Sequence, residues 1–481
     1  MRTDRRTRQL RESRRQPPFA TTVPVFVGLV TGGALVVLSD SRLVTLIGLA
    51  IVGLTFAFSG MWAVKRVLLA IIVIEIPIQV DIYLNHDLTE AATAALSGYN
   101  ISVTTLSLVA LYGIWISELV AGAAPSPLPI LKRAAPAIVY MVVVVASLFV
   151  ATDTDLVFYE ATILLQALLV MIYVAHAVQT RRDVLFVLGL LIVGILLQFG
   201  VSLLTFAVGS AVEIGVVTTG AIGSRVAGTL GHPNSLGGYL AMLLPVSAAL
   251  VMAPVASWYR WLAGSAFVTG TVLLGLSQSR GGFLGYMVGL AVLAALLFAY
   301  RLVPRKVLAR GALLAMVPLT IQVVSIAPRL IGFDDLAARS RLPLVGLAIT
   351  MIGDNAVFGV GANNFAAALE QYLTIDYNVA WLSTVHNRYL LVWAETGVVG
   401  LAVFLWFLLS MLRRALGVVR IADRTTALVA AGLFAGTLAS MVHMTVDIYH
   451  NRPLVQLLWL IAGLLIAIER LPALRTSDGV R

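Results

Sequence analysis

The sequence predicts an all-α integral membrane protein. Three observations carry that reading. Of its 481 residues 60% are hydrophobic and only 12% charged. The mean hydropathy is +0.96. Apolar windows of about 20 residues, the length that crosses a bilayer core, recur along the whole chain. A soluble domain is about half apolar and a quarter charged. The net charge of +10 would suggest nucleic acid in a soluble protein. Here topology accounts for it, and no nucleic-acid partner is expected. There is no cysteine, which excludes disulfides, thiolate metal sites and a cysteine nucleophile.

Taken in order, the chain opens with a basic tail over 1–21, whose first stretch MRTDRRTRQLRESRR holds seven arginines. The apolar run after Val23 lacks a small-residue cleavage site, so it reads as an uncleaved first span. A single polytopic membrane domain follows over 22–470. Its windows fall at 22–38, 43–62, 67–82, 102–121, 134–150, 157–178, 184–208, 235–256, 261–277, 282–300, 311–327, 389–411, 425–445 and 454–470. That makes about 12–14 spans, and a short tail over 471–481 closes the chain. Segments on one side of this alternation hold 25 of the Lys and Arg residues, and those on the other hold eight. By the positive-inside rule both termini face the cytoplasm. Three connections on the outer side are long: 83–101, 209–234 and 328–388. In the last, short interfacial helices are expected. One runs over 343–353 from Pro343. In the other, NNFAAALEQYL sets Phe365, Leu369, Tyr372 and Leu373 at helical spacing with Asn364 as N-cap. Internal repeats, common in transporters, are not evident.

Topology does not ask for the eight outer arginines. Arg225 lies in SRVAGTLGHPNSLGGYLAMLLP, a glycine-rich loop with a His-Pro-Asn turn before a span; it is either a solvated loop residue or a binding group. Arg280, in LLGLSQSRGGFLGYMVGL, sits in a tight turn between two spans and either snorkels to the headgroups or faces a ligand. In MIGDNAVFGVGANNF, Gly359 and Gly361 mark a turn, structural or anion-binding. TVHNRYLLVWAETG places His386 at the mouth of an apolar run, as a cap or as a catalyst. In a helix starting there, Tyr389, Trp393 and Gly397 share its face, and Glu395 lies opposite and is not its partner. Gly397 would then admit a neighbouring helix. Taken together, Arg225, Arg280 and His386 all come out on the outer side, near span ends and amid glycines. Two guanidinium groups suit a pyrophosphate, and a histidine suits a general base near neutral pH. His443 and His450 straddle a span end and read as structural. No cluster has metal-ligand spacing, so no metal or other cofactor is expected.

GTLGHPNSLGGYLA, SQSRGGFLG, GDNAVFGVGANNF and HNRYLLVWAETGVVGL resemble, in order and style, the bacterial O-antigen ligase and O-antigen polymerase superfamily over about residues 220–410. His386 and Gly397 fit its pattern of a histidine, ten residues and a glycine. The resemblance implies a GT-C-like glycosyltransferase of the cytoplasmic membrane. Such an enzyme moves a glycan from a polyprenyl pyrophosphate carrier to a hydroxyl of a lipid, glycan or other acceptor on the outer face, inverting the anomeric centre without a metal. It implies His386 as general base, Arg225 and Arg280 as holders of the pyrophosphate, Arg388 as a further phosphate contact, and Tyr389 and Trp393 as residues against the sugar. Ligase is the first expectation and polymerase the alternative. A ligase acting on protein serine or threonine differs only in its acceptor. The long basic tail is not part of the pattern, and His232 stands where an amide is expected. A transporter or flippase of lipid-linked glycans is the rival from another class. It predicts charges within spans and internal symmetry. Glu75, in the third window, is the clearest such charge, and the clustering in the outer loops favours an enzyme.

Overall fold

The computed structural model describes residues 63–86, 95–208, 213–214, 217–222, 225–307, 309, 320, 341–373 and 383–471. The expected spans 22–38, 43–62 and 311–327 and both tails lie outside the described residues, single positions apart. The chain divides into two units, Met1–Ile71 with Glu213–Val217, and Ile72–Val212 with Thr218–Arg481. Of the first, the structure describes chiefly a helical stretch over 63–71. The second holds the elements that follow.

Among the described residues nine helices are long and apolar enough to cross a membrane. They are α1 (Val103–Val120), α2 (Leu128–Ala146, continued by a tight turn to Phe149), α3 (Thr154–Ala177), α4 (Arg181–Val208), α5 (Pro233–Met252), α7 (Arg280–Ala299), α10 (Arg388–Ile421), α11 (Arg424–His443) and α12 (Arg452–Glu469). A tenth long helix, α6 (Ser257–Ser277), matches the window at 261–277, but Arg260 and a series of Ser and Thr residues dilute its apolar character. The all-α membrane fold is as the composition predicts.

The window at 67–82 departs from expectation. The helix there ends at residue 78. Gln79 then takes a left-handed φ of 58°, and the chain enters β1 (Asp81–Leu84), which pairs antiparallel with β2 (Tyr99–Ser102). Arg452 explains the turn. The guanidinium of this first residue of α12 donates to both Glu75 oxygens at 2.7 and 2.8 Å and to Asp81 Oδ2 at 3.0 Å. Glu75 is therefore one half of a buried ion pair that ties the helical stretch 72–78, β1 and α12 together.

α5 is the hub, packed against α6, α7 and α11. Lipid tails are as apolar as leucine, so close backbone approach through small residues replaces the hydrophobic drive between helices. A side chain on Gly282 would meet the Gly237 backbone at 2.7 Å, and one on Gly238 would meet His443 Nδ1 at 2.7 Å. These are the glycines of GHPNSLGGYLA and SQSRGGFLG, and their spacing brings α5, α7 and the end of α11 together. Local caps fix where the helices start. His232 caps α5 ahead of Pro233, Ser279 accepts from Gly282 N at 3.2 Å to cap α7, and Asn387 caps α10.

Before α10 come α8 (Arg341–Asp354) and α9 (Phe365–Ala368), the latter followed by a tight turn over Leu369–Tyr372. Leu347, Met351, Phe365 and Leu369 pack with Val385, Leu391 and Ala394 of the α10 segment. Asn364 stands at the expected cap position, but its side chain does not cap α9. Its amide instead exchanges bonds with the Asp153 backbone at 2.7 and 2.9 Å. Asn363 likewise binds the Leu96 and Leu156 carbonyls at 2.7 and 3.1 Å.

α10 is not continuous. Gly397 has φ 66° and ψ −175° and interrupts it. The helix bonds lost there are replaced from the preceding loop. Val360 N donates to Ala394 O at 3.0 Å, Gly361 N to Glu395 O at 2.8 Å, and Val398 N to Ala356 O at 2.8 Å. Gly397 therefore receives a loop backbone where a packed helix was expected. Gly359 and Gly361 serve the same junction.

Candidate functional site

The candidate site forms at one end of the helical bundle, where β4, the start of α5, the turn before α7, the segment before α10 and the link between α11 and α12 meet. β4 (Arg225–Gly228) pairs antiparallel with β3 (Gly220–Ile222), Ile222 standing opposite Arg225. The turn after β4 is held from below. Thr229 binds the Pro77 carbonyl, and Gln198 Nε2 donates to the same carbonyl at 3.0 Å. The half-buried Arg225 side chain donates from Nε to Ser277 O at 3.1 Å and from Nη2 to Asn234 Oδ1 at 2.8 Å. It therefore lies along the turn 277–280, whose last residue is Arg280, half-buried at the start of α7. The next residue, Gly281, packs on Val446 and His443. Arg225, Arg280 and the 443–447 segment thus come together although they are far apart in sequence.

His386 precedes α10 rather than beginning it. Asn387 is the cap, accepting from Tyr389 N at 3.0 Å and Leu390 N at 3.1 Å. A short amide side chain accepts these orphan N–H groups better than an imidazole does, so His386 is left to turn elsewhere. Its Nδ1 lies 3.0 Å from Thr384 O. A carbonyl only accepts, so Nδ1 carries the hydrogen and Nε2 the lone pair in the neutral ring. Burial and the positive charge of Arg341 hold His386 below the ordinary histidine value, against the opposing pull of Asp447. The ring is therefore neutral at physiological pH with its lone pair on Nε2, where no bond from the described residues is seen, and that is what a general base requires.

Asp447 lies between α11 and α12. Burial would raise its carboxyl, but His443, the Tyr449 amide, His386 and His232 together bring it below the ordinary aspartate range. Tyr449 N donates to Oδ1 at 2.9 Å. Arg341, the first residue of α8, reaches the Val446 carbonyl at 3.4 Å. Arg388 N donates to Met444 O at 2.8 Å, which fixes the His386 segment to the same link. The sequence reading missed Asp447. The available signal was a carboxylate in the short connection TVDIYHN between two spans.

The remaining expected residues sit differently. Arg388 is buried, and its Nη2 pairs with Glu160 Oε1 of α3 at 2.9 Å and reaches Tyr140 OH at 3.3 Å. Its charge is matched inside the bundle, and it is not gathered with Arg225 and Arg280. Glu395, on the same buried side, accepts from Phe365 N at 3.2 Å. Tyr389 OH donates to Met441 O at 2.8 Å, and Trp393 Nε1 to Ala356 O at 3.3 Å. Both rings are half-buried and anchor α10 to its neighbours. His443 is buried at the end of α11 against Gly238 and Gly281, in keeping with a structural part.

No curated protein matches the chain. Residues 265–405 match the family model described as Wzy_C: O-Antigen ligase. The matched segment takes in Arg280 and His386, while Arg225 and His232 precede it. That match covers under a third of the chain and, with the nine helices long and apolar enough to cross a membrane among the described residues, supports a likeness to the O-antigen ligase and polymerase superfamily of membrane glycan-transfer proteins.

Proposed function

We propose that the protein transfers a glycan from a polyprenyl pyrophosphate carrier to an acceptor hydroxyl on the outer face of the cytoplasmic membrane, as an O-antigen ligase does. The observation that carries this reading is His386, a neutral imidazole with its lone pair on Nε2, at the same end of the bundle as Arg225 and Arg280. In the reaction the acceptor oxygen attacks the anomeric carbon as its proton passes to His386 Nε2. A free hydroxyl is too weak an acid to ionise first, so the two events are concerted. General-base help of this kind is worth about 10²–10⁴-fold. The bond from the anomeric carbon to the phosphate oxygen breaks, and polyprenyl pyrophosphate leaves with the electron pair. Arg225 and Arg280 stabilise the charge it gains. Direct displacement inverts the anomeric centre. Asp447 stabilises the imidazolium that forms. Arg388, Tyr389 and Trp393 hold the scaffold and do not touch substrate.

The test is a gene deletion, with surface glycan and lipid-linked glycan run side by side, complemented by wild type or His386→Ala. Ligase activity predicts full-length chains stranded on the carrier and missing from the final acceptor. Collapse to single repeats would assign the polymerase reaction instead. Unchanged glycan pools, or full complementation by His386→Ala, would sink the reading.

A further inference from the structure

His232 is the residue by which this sequence departs from the amide expected at its position, and the structure gives it a definite orientation. As N-cap of α5 its Nδ1 accepts from Asn234 N at 3.1 Å. An N–H donor needs a lone pair, so Nδ1 is unprotonated and the neutral ring carries its hydrogen on Nε2. Protonating Nδ1 would break the cap and set a cation against the positive end of the helix dipole. The surroundings act in the same direction. Burial lowers its titration first, and the charges of Arg225 and Arg341 add to that, so it is held below the ordinary histidine value, with Asp447 opposing. His232 and His386 are therefore neutral imidazoles of opposite tautomer. One offers a lone pair at Nε2 and the other an N–H.

Asn234 joins this donor to the arginine. Its backbone N–H orients His232, and its side-chain oxygen holds Arg225 Nη2 at 2.8 Å. One residue thus sets the direction of two donors.

We propose that His232 is a second donor to the pyrophosphate, its Nε2–H hydrogen-bonding the phosphate oxygen that departs from the anomeric carbon, beside Arg225. The inference rests on the glycan-transfer reading above. No proton is transferred by His232. The acceptor's proton goes to His386, the electron pair leaves with the pyrophosphate, and His232 stabilises the charge that develops there. A neutral imidazole held at a helix N-terminus is suited to this, since it polarises an oxygen without titrating through the working pH. An amide offers the same pair of functions, an oxygen for the helix and an N–H for the ligand.

That equivalence supplies the experiment. Purified full-length protein in lipid nanodiscs is assayed with lipid-linked glycan extracted from the deletion strain and the membrane acceptor fraction. Four variants are compared: His232→Asn, His232→Ser, His232→Asp and His386→Ala. Asn, Ser and Asp all cap a helix well, so the three His232 variants should denature at similar temperatures. His232→Asp, which has no hydrogen to give, and His232→Ser, whose hydroxyl ends close to the backbone and falls short of the reach of an imidazole Nε2, are expected to lose about 10²-fold or more in kcat with KM little changed, the effect of removing one donor at a developing charge. His232→Asn, which keeps a donor, should retain more activity than either. Wild-type kcat in His232→Ser, or loss of kcat in all three in step with thermal stability, would overturn the proposal. An active His386→Ala would overturn the glycan-transfer mechanism itself. Inactive His386→Ala beside fully active His232→Ser would sink only the role of His232.

Discussion

Gly397→Ala should unseat the junction between α10 and the loop before it. At φ 66° and ψ −175° the position lies in a region open essentially to glycine, and forcing another residue there costs about 1–3 kcal/mol. The added methyl would also stand 2.5 Å from Phe358 N and closer still to the Val357 carbonyl. Backbone cannot swing aside as a side chain can, and overpacking of this kind costs about 1–3 kcal/mol more. The sum, about 2–6 kcal/mol, is a large part of the roughly 5–15 kcal/mol that holds a typical domain folded. The same substitution at Gly417, in the same helix, is the control. Nothing lies within 4 Å of a methyl there, and replacing glycine by alanine inside a helix gains up to about 1 kcal/mol. The assay is the fraction of detergent-solubilised protein that stays monodisperse after heating, with membrane accumulation as a second readout. Gly397→Ala should accumulate poorly and fail at a clearly lower temperature than wild type, and Gly417→Ala should not. If the two variants behaved alike, the account of the helix break would be wrong, and any loss of activity at Gly397 would need a catalytic explanation.

The pH dependence of turnover follows from the direction of the His386 shift. The working form is the neutral ring, and burial with Arg341 holds its titration below the ordinary value, so the midpoint of the acidic limb should fall below about pH 6.5. An acidic limb centred at or above pH 7 would contradict this. Arg225→Lys cannot reproduce the fork that spans Ser277 O and Asn234 Oδ1, and steady-state kinetics should show kcat/KM down by about 10²-fold with stability nearly unchanged. Arg388→Met strands Glu160 in the bundle and should cost about 3–5 kcal/mol of stability. Adding Glu160→Leu should restore much of it, whereas a phosphate-binding arginine would give a stable single variant with weakened donor binding.

The membrane class, most helices and the gathering of Arg225, Arg280 and His386 were legible because each has a local cause. Apolar length marks a span, glycine beside a polar turn marks a helix entry, and charges that topology does not require single out loops that meet at one end of the bundle. Partners distant in sequence were not legible. Arg388 resembles Arg225 as a residue, and only the arrival of Glu160 from 228 positions earlier shows that its charge is turned inward. Gly397 gave a sequence signal for close approach, but a helix and a loop backbone leave the same signal. His386 was placed on a helical face that does not exist, because Asn387 is the better cap and the helix starts one residue beyond it. Asp447 was hidden by brevity, as a lone carboxylate between two spans looks like an ordinary connector.

The two buried arginines also bear on how the chain is made. Arg388 and Arg452 each open a late helix, and their carboxylates, Glu160 on one side and Glu75 with Asp81 on the other, lie 228 and up to 377 positions earlier. During synthesis the acids are made first and wait for cations that the ribosome has not yet delivered. Each late helix then docks by an ion pair that only its own first residue supplies. A chain stopped near residue 380 would hold all three acids and neither arginine, and would present itself to membrane quality control as unfinished, although most of its spans had already been inserted.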